Sequence, residues 1–101
     1  MIENASEVAP RVLRELVAAG SVSSAQVKGA DRGLVIVVKI AMTERVLGAA
    51  RGGVRYFQSI DGAASVLQGY GIVKFEADTS NWVPKTLTRG KAAASTVDAE
   101  G

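Results

Sequence analysis

The chain contains neither histidine nor cysteine among its 101 residues. Histidine is the commonest general base and metal ligand near neutral pH, and cysteine supplies nucleophiles, disulfides and thiolate metal sites. Their absence excludes catalytic dyads built on either residue and also excludes a disulfide framework. The remaining carboxylates and lysines form no recognisable catalytic constellation, so we expect a binding protein and not an enzyme.

The acidic side chains offer one alternative, which is that the protein binds a metal ion. Glu76 and Asp78 share a face of a predicted strand, and together with Asp61 they could supply oxygen ligands to a cation such as magnesium. Alternating acids on an exposed strand more often only solubilise it. The glycines do not follow the spacing of a phosphate-binding loop. We therefore expect no metal, no cofactor and no small-molecule substrate.

Aromatic residues and long apolar runs are also scarce. One tryptophan, two tyrosines and two phenylalanines are present, which predicts a thin, aliphatic core. The longest apolar stretch, Gly33–Val38 with Ile40–Met42 beyond it, is far shorter than the ~20 residues that a membrane helix needs. The N-terminal region lacks the basic-then-apolar order of a secretory signal. We expect a soluble, cytoplasmic protein that does not contact membranes.

The length of the chain fits one small domain. Such a domain buries only about 60 to 65% of the surface that its unfolded chain exposes, so homodimerisation would be a way to bury more. After Thr79 the hydrophobic pattern decays, and Lys85–Gly101 is small and polar without periodicity. We expect a single α+β domain over residues 1–84 and a disordered C-terminal tail over residues 85–101.

Hydrophobic periodicity predicts the element order α-β-β-β-β-α-β, with two helices packed on a small antiparallel sheet of three to five strands. The first helix is predicted over Ser6–Ala19, with either Ser6 as its cap or Pro10 in its first turn. The second is predicted to begin after a Ser59 cap and to end near Gly69 and Gly71. The predicted strands are Ser23–Gly29, Leu34–Met42, Glu44–Ala50, Gly53–Gln58 and Ile72–Asp78.

The predicted strand Leu34–Met42 is apolar on both faces. This pattern is typical of a central strand that is covered by a helix on one side and by another element or subunit on the other. A homodimer formed through this strand is one way to provide the second cover.

Basic residues are concentrated between Lys28 and Arg55, where six bases accompany two acids, while the rest of the chain has six bases and eight acids. Arg45 and Arg51 are predicted on the same face of one strand, with Arg55 just across the Arg-Gly-Gly turn. Guanidinium forks suit phosphates and carboxylates. The simpler interpretation is that these are ordinary solvated residues and that at least one of the neighbouring aromatics belongs to the core. The candidate partner- or DNA-binding residues are Lys39, Arg45, Arg51, Arg55 and Tyr56.

The run LGAARGGVRYFQSIDGAASVLQGYGIVKFEADTSNW, residues 47–82, resembles a family of short plasmid proteins, the ParC-like partition-associated proteins. The shared features are an Arg-Gly turn, a strand that ends in phenylalanine, a Ser-x-Asp helix start, an alanine- and leucine-rich helix and a Val-Phe strand. The resemblance implies an accessory role in plasmid maintenance.

The order of strands followed by the Ser59-Ile60-Asp61 helix start is also similar to the arm-type DNA-binding domains of phage integrases, which read DNA with a sheet. Our first hypothesis is a non-enzymatic accessory protein of a plasmid or other mobile element that binds a protein partner or forms a homodimer. The alternative is a sheet-based DNA-binding module that uses Lys39, Arg45, Arg51 and Arg55. An enzyme is the third choice.

Overall fold

The computed structural model of the chain describes residues 6–84, so the predicted tail over residues 85–101 lies outside the described residues. Within that range two helices pack on a five-stranded mixed sheet, which confirms the α+β class. In chain order the elements are β1 (Ser6–Val8), α1 (Pro10–Ala18), β2 (Val22–Ala30), β3 (Gly33–Ile40), β4 (Thr43–Leu47), α2 (Ile60–Gly69) and β5 (Glu76–Asp78).

The strand order across the sheet is β1-β4-β3-β2-β5. The central β2-β3-β4 meander is antiparallel as predicted, while β1 joins β4 and β5 joins β2 in parallel. The chain therefore makes two crossovers, β1-α1-β2 and β4-α2-β5, and both move across the sheet in the same direction. Because such crossovers are right-handed, both helices lie on one face of the sheet. Leu13 of α1 and Leu67 of α2 accordingly share one buried cluster.

Helix α1 begins later than the Ser6 start that was predicted. Ala9 is its N-cap and has extended backbone angles, φ −68° and ψ 150°, and Pro10 occupies the first turn. A residue that precedes proline is sterically driven out of the helical region, so the helix cannot continue back through Ala9. The alternative start at Pro10 is confirmed, and Ser6–Val8 forms an edge strand instead.

Helix α2 is bounded by the predicted residues. The side-chain oxygen of Ser59 accepts a hydrogen bond from the Gly62 N–H at 3.0 Å, which caps the first turn. At the other end Gly71 has a φ of +91°. The N–H groups of Gly71 and Ile72 donate to the carbonyls of Gln68 and Leu67, both at 2.9 Å. These paired bonds form a Schellman motif that ends the helix.

Strand β3 is central and is buried on both faces, as predicted. Leu34, Ile36 and Val38 lie in the cluster beneath the helices. On the opposite face Val35 and Val37 join Val46 of β4 in a second cluster, which is closed by Ala30, Val54 and Tyr56 of the same chain. The second cover of β3 is thus another element of this chain.

Three strand predictions are corrected. The predicted strand Glu44–Ala50 stops at Leu47, and Gly53–Gln58 is not a strand but makes only the isolated bridges Gly48–Val54 and Leu34–Phe57. The predicted strand Ile72–Asp78 is reduced to its last three residues. The bond from the Ile72 N–H ties the preceding segment to the end of α2, where Ile72 and Phe75 pack on the core.

Candidate protein-interaction site

The structure does not gather the five predicted contact residues into one surface. Arg45 pairs with Val38 and therefore lies on the helix-covered face, whereas Lys39 pairs with Glu44 on the opposite face. Arg51 follows the end of β4 and lies in a turn. The prediction that it shares a strand face with Arg45 is therefore wrong. The Nε atom of Arg45 is buried and has no hydrogen-bond partner in the described part of the chain.

Arg55 and Tyr56 make packing contacts. The Arg55 guanidinium carbon lies 4.8 Å from the centroid of the Phe57 ring, a distance typical of a cation–π contact. Tyr56 is half-buried against the valine cluster, and Phe57 is buried in the helix-side core. Phe57 therefore belongs to the core, which confirms the prediction that at least one of the two aromatics does.

The face of the sheet opposite the helices, here called the open face, carries more acidic than basic residues. Because paired residues on neighbouring strands point to the same side, the register assigns its charged residues. Its acids are Glu7, Glu44, Glu76 and Asp78, and its bases are Lys28 and Lys39. This charge balance disfavours the open face as a surface for a polyanion.

Asp78 of the open face is held by a local turn. Its carboxylate accepts hydrogen bonds from the Ser80 hydroxyl at 2.6 Å and from the Ser80 N–H at 3.1 Å. These bonds lower the pKa of the Asp78 carboxyl below its ordinary value, and the nearby positive charge of Lys28 adds a smaller effect in the same direction. Asp78 therefore remains ionised in neutral solution.

The outer edge of β2 is only partly paired. Strand β5 pairs with Gln26, Val27 and Lys28, and within residues 6–84 no strand lies beside Val22–Ala25 on that side. The Gly71–Phe75 segment runs near this open edge without joining it. Two adjoining cavities of about 380 and 300 Å³ lie between the two segments. We call this feature the β2 cleft, with residues 22–26 as one wall, residues 71–76 as the other and Val17 at its end.

The β2 cleft places the backbone groups of the open β2 edge beside an exposed apolar side chain. Val73, an apolar residue of the predicted strand Ile72–Asp78, lines the cleft and is 72% exposed. At Ser23 the pairing of β2 with β3 shifts by one residue, and the Ser23 hydroxyl donates to the Lys39 carbonyl at 3.2 Å. Sequence reasoning missed this site. Its signal was a strand pattern over Ile72–Phe75, a segment that pairs with no strand within residues 6–84.

Two other kinds of site are absent from the described part of the chain. Residues 6–84 contain no group of three or more acidic, histidine or cysteine side chains placed to hold a metal ion. In the same range neither helix has the length and apolar character required to span a bilayer.

Comparison with known protein families gives a match that spans most of the chain. The sequence model of a family described as ParC-like matches residues 8–86, more than three quarters of the chain. No curated protein and no solved structure matches the chain. The matched range contains both helices, four complete strands and the β2 cleft.

Proposed function

The chain belongs to the ParC-like family, and from that membership we propose that it is a non-enzymatic accessory protein of a plasmid or other mobile element. It acts in the cytoplasm by binding a protein partner in plasmid partition or maintenance. The observation that carries the protein-binding part of the proposal is the open edge of β2 beside the exposed Val73. Unpaired strand edges and exposed apolar side chains are features that other proteins bind.

The charge distribution supports a protein partner over duplex DNA. The affinity of DNA-binding proteins depends mainly on lysine and arginine contacts to phosphates. A strand laid in a DNA groove from the open face would bring four carboxylates and only two lysines towards those phosphates. The predicted contact residues Lys39 and Arg45 also lie on opposite faces of the sheet.

A DNA-binding module remains the second candidate, since one observation favours it. Arg51 and Arg55 flank the turn at Gly52 and Gly53, where both glycines have positive φ angles of 99° and 79°. Both arginines are exposed, so this hairpin presents two guanidinium groups to solvent. Such groups suit phosphate oxygens.

One experiment separates the two candidates. The full chain is tested by size-exclusion chromatography against the purified product of each neighbouring plasmid gene, and by fluorescence anisotropy against duplex DNA from the same plasmid. We expect a protein complex whose affinity changes little with salt. The double variant Arg51→Ala, Arg55→Ala is compared with Arg11→Ala, Arg32→Ala, which removes two exposed arginines elsewhere.

The proposal is overturned if no neighbouring product binds while DNA binding is tight and falls steeply with salt. Loss of that DNA binding in the Arg51, Arg55 double variant, together with its retention in the Arg11, Arg32 control, would establish the second candidate.

A further inference from the structure

We propose that the β2 cleft binds an extended peptide segment of the protein partner, which adds as a short strand to the open edge of β2. The inference rests on the proposed protein-binding function and states where on the fold the partner binds and by which type of contact. Strand addition draws its affinity from main-chain hydrogen bonds and its selectivity from the contacts of alternate side chains.

The backbone of β2 presents a donor to this cleft. Leu34 and Phe57 exchange both of their backbone hydrogen bonds, at 2.8 Å each, so the N–H and C=O of Leu34 point away from β2. Successive residues of an antiparallel strand direct their N–H and C=O groups to opposite sides, so the backbone groups of Val35 and Val37 form hydrogen bonds with β2. Their partners Lys28 and Gln26 therefore face β3. The intervening residues of β2, including Ala25, then direct their N–H groups to the outer edge.

Beside Ala25 this outer edge has no strand partner among residues 6–84. The three pairs between β2 and β5 begin at Gln26 and Glu76, and the residues that precede Glu76 do not continue the ladder. An added strand would therefore lie in line with β5 and accept the Ala25 N–H.

The walls of the cleft define the side chains that it accepts. Val22 and Ala25 pair with Ile40 and Val38 and so point to the helix side, where the cleft is lined by apolar side chains. Ser24 and Gln26 point to the open face. An added strand would meet apolar side chains on one face and hydroxyl and amide groups on the other, so we infer a segment that alternates apolar and polar residues.

The rim is close to neutral, because within residues 6–84 Lys74 and Glu76 are the only charged residues that line either cavity. A segment bound here gains little from net charge of either sign, and its affinity is expected to depend weakly on salt.

The size of the open edge selects a peptide over a second copy of the chain. Val22–Ala25 is four residues long, or about 13 Å at the strand rise. A stable dimer interface buries about 800 Å² on each partner, which a four-residue edge does not supply. Residues 71–76 also flank this edge as a second wall, so an incoming segment must enter between two walls.

The test uses the full chain and a phage-displayed library of random heptapeptides as the probe. Selected peptides are synthesised and titrated into the isotopically labelled protein. We expect shifts of backbone amide resonances confined to residues 22–26 and 71–76, and slower hydrogen exchange at the Ala25 N–H. Selected peptides should alternate apolar and polar residues and lack proline at the binding positions, since proline has no N–H to donate.

Val73→Glu is the diagnostic variant, with Val83→Glu as its matched control. Both valines are exposed, at 72% and 63%, and only Val73 lines the cleft. Val73→Glu places a charge where an apolar side chain would be buried, so it should weaken peptide binding by about tenfold or more. Val83→Glu should leave it within about twofold, since distant sites act independently. Both variants should keep the melting temperature of the parent chain, because neither valine belongs to the core.

The inference is overturned if no peptide is selected, if the shifts map outside the cleft, or if the two valine variants have equal effects. A monomer–dimer equilibrium that Val73→Glu abolishes would also overturn it and identify a second copy as the occupant. If a neighbouring gene product still binds the Val73→Glu variant with parental affinity, the inference fails while the proposed function stands. If no gene product binds but the selected peptides do, the proposed function fails, while the assignment of the β2 cleft as a peptide-binding site stands.

Discussion

The two faces of the sheet bury the same central strand in different ways. On the helix side, eleven buried residues from both helices, several strands and Phe57 form one cluster beneath α1 and α2. On the open face, three buried valines are closed by Ala30, Val54 and Tyr56, without a helix. Since apolar burial is the main source of stability, the helix side should dominate the free energy of unfolding. On the open face a small apolar cluster is enough to exclude water from β3, and charged residues occupy the outer positions.

The largest expected effect lies on the helix side. Leu67→Ala removes a fully buried side chain of α2 and should lower the free energy of unfolding by about 3 kcal/mol, within a usual range of about 2 to 5. Chemical denaturation measures the change. Gln68→Ala, at the next and exposed position, should cost less than about 0.5 kcal/mol. Similar losses in both variants would contradict the assignment of the core.

A matched pair on β3 sharpens the comparison. Val38 and Val35 are both fully buried and point to opposite faces. We expect Val38→Ala to cost about 2 to 3 kcal/mol and Val35→Ala about 1 to 2, because half-buried Tyr56 can settle into the space left on the open face. Denaturant unfolding of the two variants tests this. Equal losses, or a larger loss at Val35, would mean that the open-face cluster is as tightly packed as the other.

The cap of α2 should contribute less than either core. Ser59→Ala removes the side-chain acceptor of the Gly62 N–H and should cost about 1 kcal/mol. Thermal unfolding followed by circular dichroism measures the loss. Ser65→Ala, at an exposed position inside the same helix, should be neutral or slightly stabilising because alanine is the better helix former. A neutral Ser59→Ala would show that the helix end is held by packing alone.

The smallest effect is expected on the open face, at Asp78. Ser80→Ala removes the hydroxyl donor, so the pKa of the Asp78 carboxyl should rise towards its ordinary value, which a carbon-13 titration reads directly. In the parent chain the folded-state pKa lies below the unfolded one. The resulting stability is therefore present above the ordinary pKa and is lost as the pH falls through the folded-state value. Thr79→Ala serves as the control, and an unchanged pKa in Ser80→Ala would contradict the assigned cause.

Local patterns predicted the parts of the fold that depend on local contacts. The double-sided apolar run of β3 and the cap of α2 at Ser59 were both confirmed. Strand β1 was missed because three residues carry no periodicity, and its partner β4 lies almost forty residues further along the chain. The Ile72–Phe75 segment has a strand pattern, but its bond to the end of α2 and its packing on the core keep it off β2.

The site was less predictable than the fold. A basic cluster was inferred on the assumption that Arg45 and Arg51 share a strand, and this fails because β4 ends at Leu47. The β2 cleft depends on where β5 stops pairing, which is decided by tertiary packing and not by the residues that line it. The sequence contained the apolar Val73 but no indication that it would be exposed.

The close approach of two backbones at the far end of β2 gives this protein its own optical probe. A Cβ atom added to Gly29 would lie 2.8 Å from the Cβ of Trp82 and 2.9 Å from the carbonyl carbon of Asn81, so the chain passes directly over the strand there. Trp82 is the single tryptophan of the sequence. Its emission therefore arises from one place, the seam between β2 and the segment that follows β5, and any separation of that seam will change the spectrum without a dye or tag.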